Sequence, residues 1–202
     1  VLALEEDPHE PPARPFHVEA LPEEAAREAV RLARRLALPL EGYTADGGFF
    51  VEGDSPLLEA HQRLLGVEAE GADLLRLSSP LVRLQVLAEG EAPVERLLEA
   101  LPRGLQAHVA ESPKMPGVRF VSLTKEGVSK LSAARLVAEA YGLPLSECAM
   151  VGDGENDLEL LRAVGVGIAM GNAPPSVKRA AQRVVAPVEA CGLAEALRLL
   201  RG

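Results

Sequence analysis

The chain lacks most of what would mark a secreted, membrane-bound or nucleic-acid-binding protein. Its 202 residues include only two cysteines, Cys148 and Cys191, in unrelated contexts. That leaves no disulfide framework and no thiolate spacing for a metal. Cys148 lies in an apolar run and is expected to be a buried small hydrophobe. Lysine is scarce, four residues against seventeen arginines, and the net charge is −9. An acidic surface argues against non-specific nucleic-acid binding. No apolar run is long enough to cross a bilayer. The N-terminal Val1-Leu2-Ala3-Leu4-Glu5-Glu6-Asp7 is too acidic and too short in apolar residues for a secretion signal. A reducing cytoplasm is therefore the expected setting.

Reaction motifs are missing as well. There is no Gly-x-Ser-x-Gly elbow, Walker loop or His-Glu-x-x-His helix. The four histidines, His9, His17, His61 and His108, show neither pairing nor ligand spacing and are expected to be structural or solvated.

What is present can bury a real core: 48% of the residues are hydrophobic, enough for one large domain or two small ones. Residues 1–15 are rich in proline and acids and are expected to be a linker or the end of a strand. Leu21-Pro22-Glu23-Glu24 opens a helix, with Ala26, Val30, Ala33 and Leu36 at helical spacing. Two short strands flank Ala45-Asp46-Gly47-Gly48, a hairpin signal. A helix over 56–65 follows. Residues 82–87 alternate apolar and polar, the pattern of a half-buried strand. A helix over 92–101 and strands over 105–109 and 118–123 complete this part, the last after the breaker Ser112-Pro113-Lys114-Met115-Pro116-Gly117. Residues 16–123 thus predict a small α+β domain with a mostly antiparallel sheet.

From about residue 124 the pattern changes. A helix over 129–141 leads into strand 148–151, helix 155–163, strand 165–169, helix 174–180, strand 182–185 and helix 189–201. Short apolar strands alternating with helices predict parallel βα units.

Chemistry concentrates at one turn of this second part. Gly152-Asp153-Gly154-Glu155-Asn156-Asp157 follows an apolar strand and opens a helix, the place where ligands bind in an open α/β sheet. Acids and Asn also cap helices, but two acids, an amide and two glycines within six residues exceed what a cap needs. Hard carboxylate oxygens suit Mg²⁺ with phosphate. An EF-hand is excluded, because the twelfth position counted from Asp153 is Val164. Lys130 starts a helix, where a cation opposes the dipole. It is either a solvated lysine or one with an anionic partner. Gly165-x-Gly167 lies inside a strand and is rejected as a dinucleotide fingerprint. Asn172, ahead of Pro174 and Pro175, reads most simply as a helix cap, with a role near a phosphate as the alternative.

Taken in order, Gly127-Val128-Ser129-Lys130, Val151 to Asp157, Gly167-Ile168-Ala169-Met170-Gly171-Asn172-Ala173 and Val177-Lys178 resemble the C-terminal half of a haloacid-dehalogenase (HAD) superfamily phosphatase, closest to the Cof type. The resemblance implies an α/β fold with a Rossmann-like core, of which residues 124–202 are the C-terminal part, and an inserted α+β cap over residues 16–123. It implies that Lys130 steadies the transferring phosphoryl group, that Asp153 binds Mg²⁺, and that Asp157 holds Lys130 or a metal-bound water. Asn156 would contact the phosphate. The substrate class would be small phosphorylated metabolites such as sugar phosphates, with no nucleic-acid or membrane partner.

One family element is not found. The Asp-x-Asp-x-Thr strand end that supplies the nucleophile in such enzymes has no counterpart here, and no Asp-x-Asp occurs anywhere. The expectation is that the native gene product has an N-terminal segment preceding these residues, and that these 202 residues alone do not turn over phosphate esters. Two competing readings remain. One is a non-catalytic phosphate-ester-binding protein. The other is the phosphorylation domain of an ion pump, disfavoured by the lack of membrane helices.

Overall fold

In a computed structural model of the protein, residues 17–201 are described. The proline-rich segment over 1–15, with Asp7 and His9, lies outside them. The chain divides into two compact units, with the boundary between Gly127 and Val128.

The first unit is built on a six-stranded sheet. Helix α1 (Glu23–Arg35) carries Glu23 and Glu24 in its first turn and Arg34 and Arg35 in its last, which suits both ends of the helix dipole. Its Ala26, Val30 and Ala33 are buried, as expected from their spacing, together with Ala29, while Leu36 is the half-buried C-cap beyond the helix end. Strands β1 (Leu40–Thr44) and β2 (Phe49–Glu52) form the expected hairpin. Gly47, at φ 88°, makes the turn in a conformation open to glycine. Helix α2 (Pro56–Leu65) is capped by Ser55, whose Oγ accepts the Leu57 N–H. Strand β3 (Glu70–Gly71) and a 3-10 turn at Leu74–Arg76 follow. Both are too short to leave a periodic signature. Strand β4 (Leu81–Glu89), helix α3 (Ala92–Glu99) and strands β5 (Leu105–Ser112) and β6 (Met115–Lys125) complete the unit. The strand order is β3-β2-β1-β4-β6-β5, antiparallel except for β2 with β3.

Two expectations are corrected here. The stretch 112–117 is not a breaker as a whole, because Met115, Pro116 and Gly117 belong to β6. The pairing jumps from Glu111 with Arg119 to Ser112 with Met115. Pro116 and Gly117 (φ 82°) sit in the resulting bulge, where a missing N–H is tolerated. Nor is β4 half-buried. Leu84 and Val86 face the core shared with α1 and α3, and Leu87 packs on the other side with Leu58 and Phe120.

Gln85 is also inside, because its amide is satisfied. Its Nε2 donates to Glu41 Oε2 at 2.9 Å and its Oε1 accepts from Ser122 Oγ at 3.1 Å. Glu41 is fully buried. It also accepts from Tyr43 Oη at 2.9 Å and pairs with His61 Nδ1 at 2.7 Å, so the acid is enclosed but not orphaned. Burial, with the neighbouring carboxylate, pushes the Tyr43 phenol above its ordinary range.

The second unit alternates as expected: α4 (Lys130–Ala140), β7 (Ala149–Gly152), α5 (Leu158–Ala163), β8 (Val166–Ala169), α6 (Pro175–Ala180), β9 (Arg183–Val184) and α7 (Gly192–Arg201). Its three strands pair in parallel in the order β7-β8-β9. Leu161, Ala169, Ala173 and Val177 form one buried cluster, and Ile168, Met170, Val185 and Ala196 another. A Cβ on Gly167 would collide with the Leu161 carbonyl. Close helix–strand packing therefore accounts for this glycine.

Three details differ from expectation. Cys148 precedes β7 and is half-buried, its thiol directed at the Pro144 carbonyl. It lies before the first strand residue and so misses the core. The helix expected over 155–163 begins as a 3-10 turn, Glu155–Asp157, before α5. The helix expected from 189 starts at Gly192, after a 3-10 turn at Val188–Ala190 and a left-handed Cys191 at φ 59°. A Cβ at Gly192 would overlap the Ala186 carbonyl, so the helix begins where the chain can approach that backbone.

Candidate functional site

The acidic turn takes its shape from Asp157. This residue is 2% exposed and folds back toward the end of β7. Its Oδ2 accepts the N–H groups of Asp153 and Gly154, both at 3.0 Å. The carboxyl lies so close to the strand end that a Cβ on Gly152 would stand 2.7–2.8 Å from it. Glycine at 152 is thus a steric requirement of the turn.

The remaining oxygen of Asp157 meets Lys130, with Nζ at 2.5 Å from Oδ1. Lys130 is held at the start of α4 by a reciprocal cap. Ser129 Oγ accepts the Ser132 N–H at 3.1 Å, and Ser132 Oγ accepts the Ser129 N–H at 2.8 Å. A cation here opposes the helix dipole, and the Asp157 carboxylate offsets that cost. Burial alone would raise the Asp157 carboxyl. The Lys130 ammonium and the N–H groups of the turn outweigh it and hold the group below the usual carboxylate range. The Lys130 side chain keeps about half of its surface in solvent, 48% against 3% for Asp157. Its other two ammonium protons remain for an anion.

Asp153 and Asn156 are exposed at the same turn. Glu155 accepts from Ser176 Oγ at 3.0 Å. Asn172 is not the cap of α6: Pro174 takes that position, with no side-chain bond. Instead Asn172 Nδ2 donates to Asp153 Oδ2 at 3.3 Å and its Oδ1 accepts the Val188 N–H at 3.1 Å. Neither Ser176 nor the Val188 amide carried any sequence signal, since both act through folding of distant loops onto the turn.

The four residues singled out from the sequence, Lys130, Asp153, Asn156 and Asp157, thus lie on the first turn of α4 and on one loop after β7. They are not equivalent. Of the two acids read as metal ligands, Asp157 is enclosed with both oxygens engaged, and Asp153 is the one open to solvent. Among the described residues no three His, Cys, Asp or Glu converge on a common point. A single exposed carboxylate fits Mg²⁺, which keeps most of its waters and takes one or two carboxylates with substrate phosphate. The described histidines all belong to the first unit: His17 pairs with Glu19, His61 with Glu41, and His108 is exposed.

Residues 14–197 match a family of haloacid dehalogenase-like hydrolases. The chain belongs to this family. Among its relatives, a putative phosphatase from Haemophilus influenzae is 33% identical over 112 residues, which is 55% of this chain and 41% of that protein. A phosphatase of the haloalkanoate (HAD) superfamily from Bacteroides thetaiotaomicron has a similar structure, with a TM-score of 0.75 and 26% identity. The match covers 92% of this chain and 67% of the other. A HAD subclass IIB sugar phosphatase shares the fold at a TM-score of 0.73 and 22% identity, over 90% of this chain and 68% of the other. The HAD-like chain thus spans about two fifths of the length of the Haemophilus relative. Among its described residues no helix is long and apolar enough to cross a membrane.

Proposed function

We propose that the gene product is a Mg²⁺-dependent phosphatase of small phosphate esters such as sugar phosphates, working in the cytoplasm. Residues 124–202 would form the C-terminal part of its core and residues 16–123 its cap. The observation that carries this reading is the Lys130–Asp157 pair at 2.5 Å beside the exposed Asp153. Phosphoryl transfer depends on positioning and charge neutralisation, and these residues supply both. Asp157 fixes the ammonium of Lys130. Lys130 presents its remaining protons to a phosphoryl oxygen. Asn156 offers an amide to the same anion. Asp153 would hold Mg²⁺, which when bound neutralises charge on the phosphoryl group. These 202 residues contain no Asp-x-Asp, the motif that would carry the aspartate nucleophile on this reading.

A second reading is a protein that binds phosphate esters without turning them over, since Lys130 and Asn156 could hold the anion by themselves. One experiment separates the two. The full gene product is assayed with a panel of phosphate esters with and without Mg²⁺, beside Asp153→Ala. Mg²⁺-dependent release of phosphate that falls by at least about a hundredfold in Asp153→Ala supports the phosphatase. Saturable ester binding without release supports the binding protein. Full activity in the variant removes Asp153 from the site.

A further inference from the structure

Asn172 has no place in the capping scheme of α6, yet both ends of its amide are used. The Val188 N–H needs an acceptor, so Oδ1 faces it at 3.1 Å. That choice fixes the amide and turns Nδ2, a donor, toward Asp153 Oδ2 at 3.3 Å. The reversed amide would set a donor against the Val188 N–H and an acceptor against a carboxylate, which is repulsive at both ends. The backbone on either side is equally constrained. The Gly171 N–H donates to the Ala186 carbonyl at 3.2 Å, and a Cβ on Gly171 would stand 2.6 Å from Pro187 N. The loop after β8 is therefore pressed against residues 185–188, and Asn172 reaches Asp153 from a fixed base. Ser176, on α6, ties the same loop to Glu155.

We infer that Asn172 is a positioning residue for the Asp153 carboxylate, engaging Oδ2 and leaving Oδ1 for a cation, with the Val188 amide setting its orientation. This rests on the reading of Asp153 as the Mg²⁺ ligand. Outer partners of ligating carboxylates limit the rotamers the ligand samples, and losing one typically costs about ten- to a hundredfold in metal affinity. The neutral amide has a further consequence. It adds no charge beside Asp153, so the site keeps the low protein charge count that leaves Mg²⁺ its waters.

The test is Mn²⁺ binding to the full gene product, read by the loss of the free-ion EPR signal, with Mn²⁺ standing for Mg²⁺. Four forms are compared: wild type, Asp153→Ala, Asn172→Ala and Val188→Pro. Val188 is the first residue of a 3-10 turn and follows Pro187, which is at ψ 168°. Proline is tolerated there and removes only the N–H. The expected result is loss of binding in Asp153→Ala, about tenfold weakening in Asn172→Ala, and a smaller loss, about threefold, in Val188→Pro. The double variant Asn172→Ala/Val188→Pro should be no weaker than Asn172→Ala alone, because Val188 acts only through the amide. Circular dichroism checks that each variant is folded, and if Asn172→Ala is not, Val188→Pro carries the test. A merely structural tie would lower the melting temperature and leave the dissociation constant within about twofold of wild type. That outcome, with Asp153→Ala still abolishing binding, overturns the positioning role while the metal reading stands. Unchanged binding in Asp153→Ala overturns both.

Discussion

Replacing Lys130 by methionine keeps the side-chain stem and removes the charge that faces Asp157. Between two buried partners such a loss costs about 3–5 kcal/mol, whereas exposed pairs are worth about 0–1 kcal/mol. Here the acid is enclosed and the lysine is half in solvent, 3% and 48% exposed, so the cost falls between these limits. Relief of the unfavourable cation at the α4 start returns about 0.3–1 kcal/mol. The net expectation is about 1–2 kcal/mol near neutral pH. Its pH dependence follows from the depressed Asp157 carboxyl. The stabilisation is present above the unfolded carboxylate pKa of about 4 and is lost as pH falls through the lower, folded value. In Lys130→Met that folded value rises, so less stability remains to be lost on acidification. Urea unfolding from about pH 7 to about pH 3 should show wild type and variant far apart at the upper end and converging at the lower. Parallel curves with a constant gap would refute the pair as the source of the stability, and a variant more stable than wild type near neutrality would refute the balance of terms.

Two more outcomes are expected in the folded chain. His61→Ala should cost about 3 kcal/mol in urea unfolding, because Glu41 loses the partner of its Oε1 at full burial; a change below about 0.5 kcal/mol would mean that the enclosed acid does not depend on that pair. Leu161→Ala should cost about 2–5 kcal/mol, since Leu161 is 0% exposed in the cluster with Ala169 and Val177; thermal unfolding reads it, and a loss under about 1 kcal/mol would show that the cluster collapses onto the space.

Much of the second unit could be read from the sequence. Its strands are short apolar runs between helices, and glycines mark close approaches, to the Asp157 carboxyl at Gly152 and to the Leu161 carbonyl at Gly167. Holding Lys130 is one of the two roles the resemblance implies for Asp157, and the two side chains stand 2.5 Å apart. The role of Asn172 was hidden because an asparagine before two prolines looks like a cap. Only the fold of residues 185–188 onto Gly171 shows where its amide goes. In the first unit Glu41, Tyr43 and Gln85 look like the solvent side of alternating strands. Glu41 and Gln85 are buried and Tyr43 half-buried because His61 of α2 pairs with Glu41 and the three share hydrogen bonds, neither of which has a local signature. Strand β3, two residues long, exists only through its pairing with β2.

The enclosed Glu41 also governs which alternative structures are open to the first unit. It stands opposite Gln85 in the β1–β4 ladder, with His61 of α2 closing over it. Strand side chains alternate strictly, so a slip of one residue would carry the carboxylate to the opposite face, among Leu84, Val86 and Ala29. No donor awaits it there, and an unpaired buried carboxylate costs several kcal/mol. A leucine at this position would be indifferent to the slip. The acid works as a key cut for one lock: it admits a single register of β1 and a single seating of α2, and rejects neighbouring arrangements that an all-aliphatic sheet would accept.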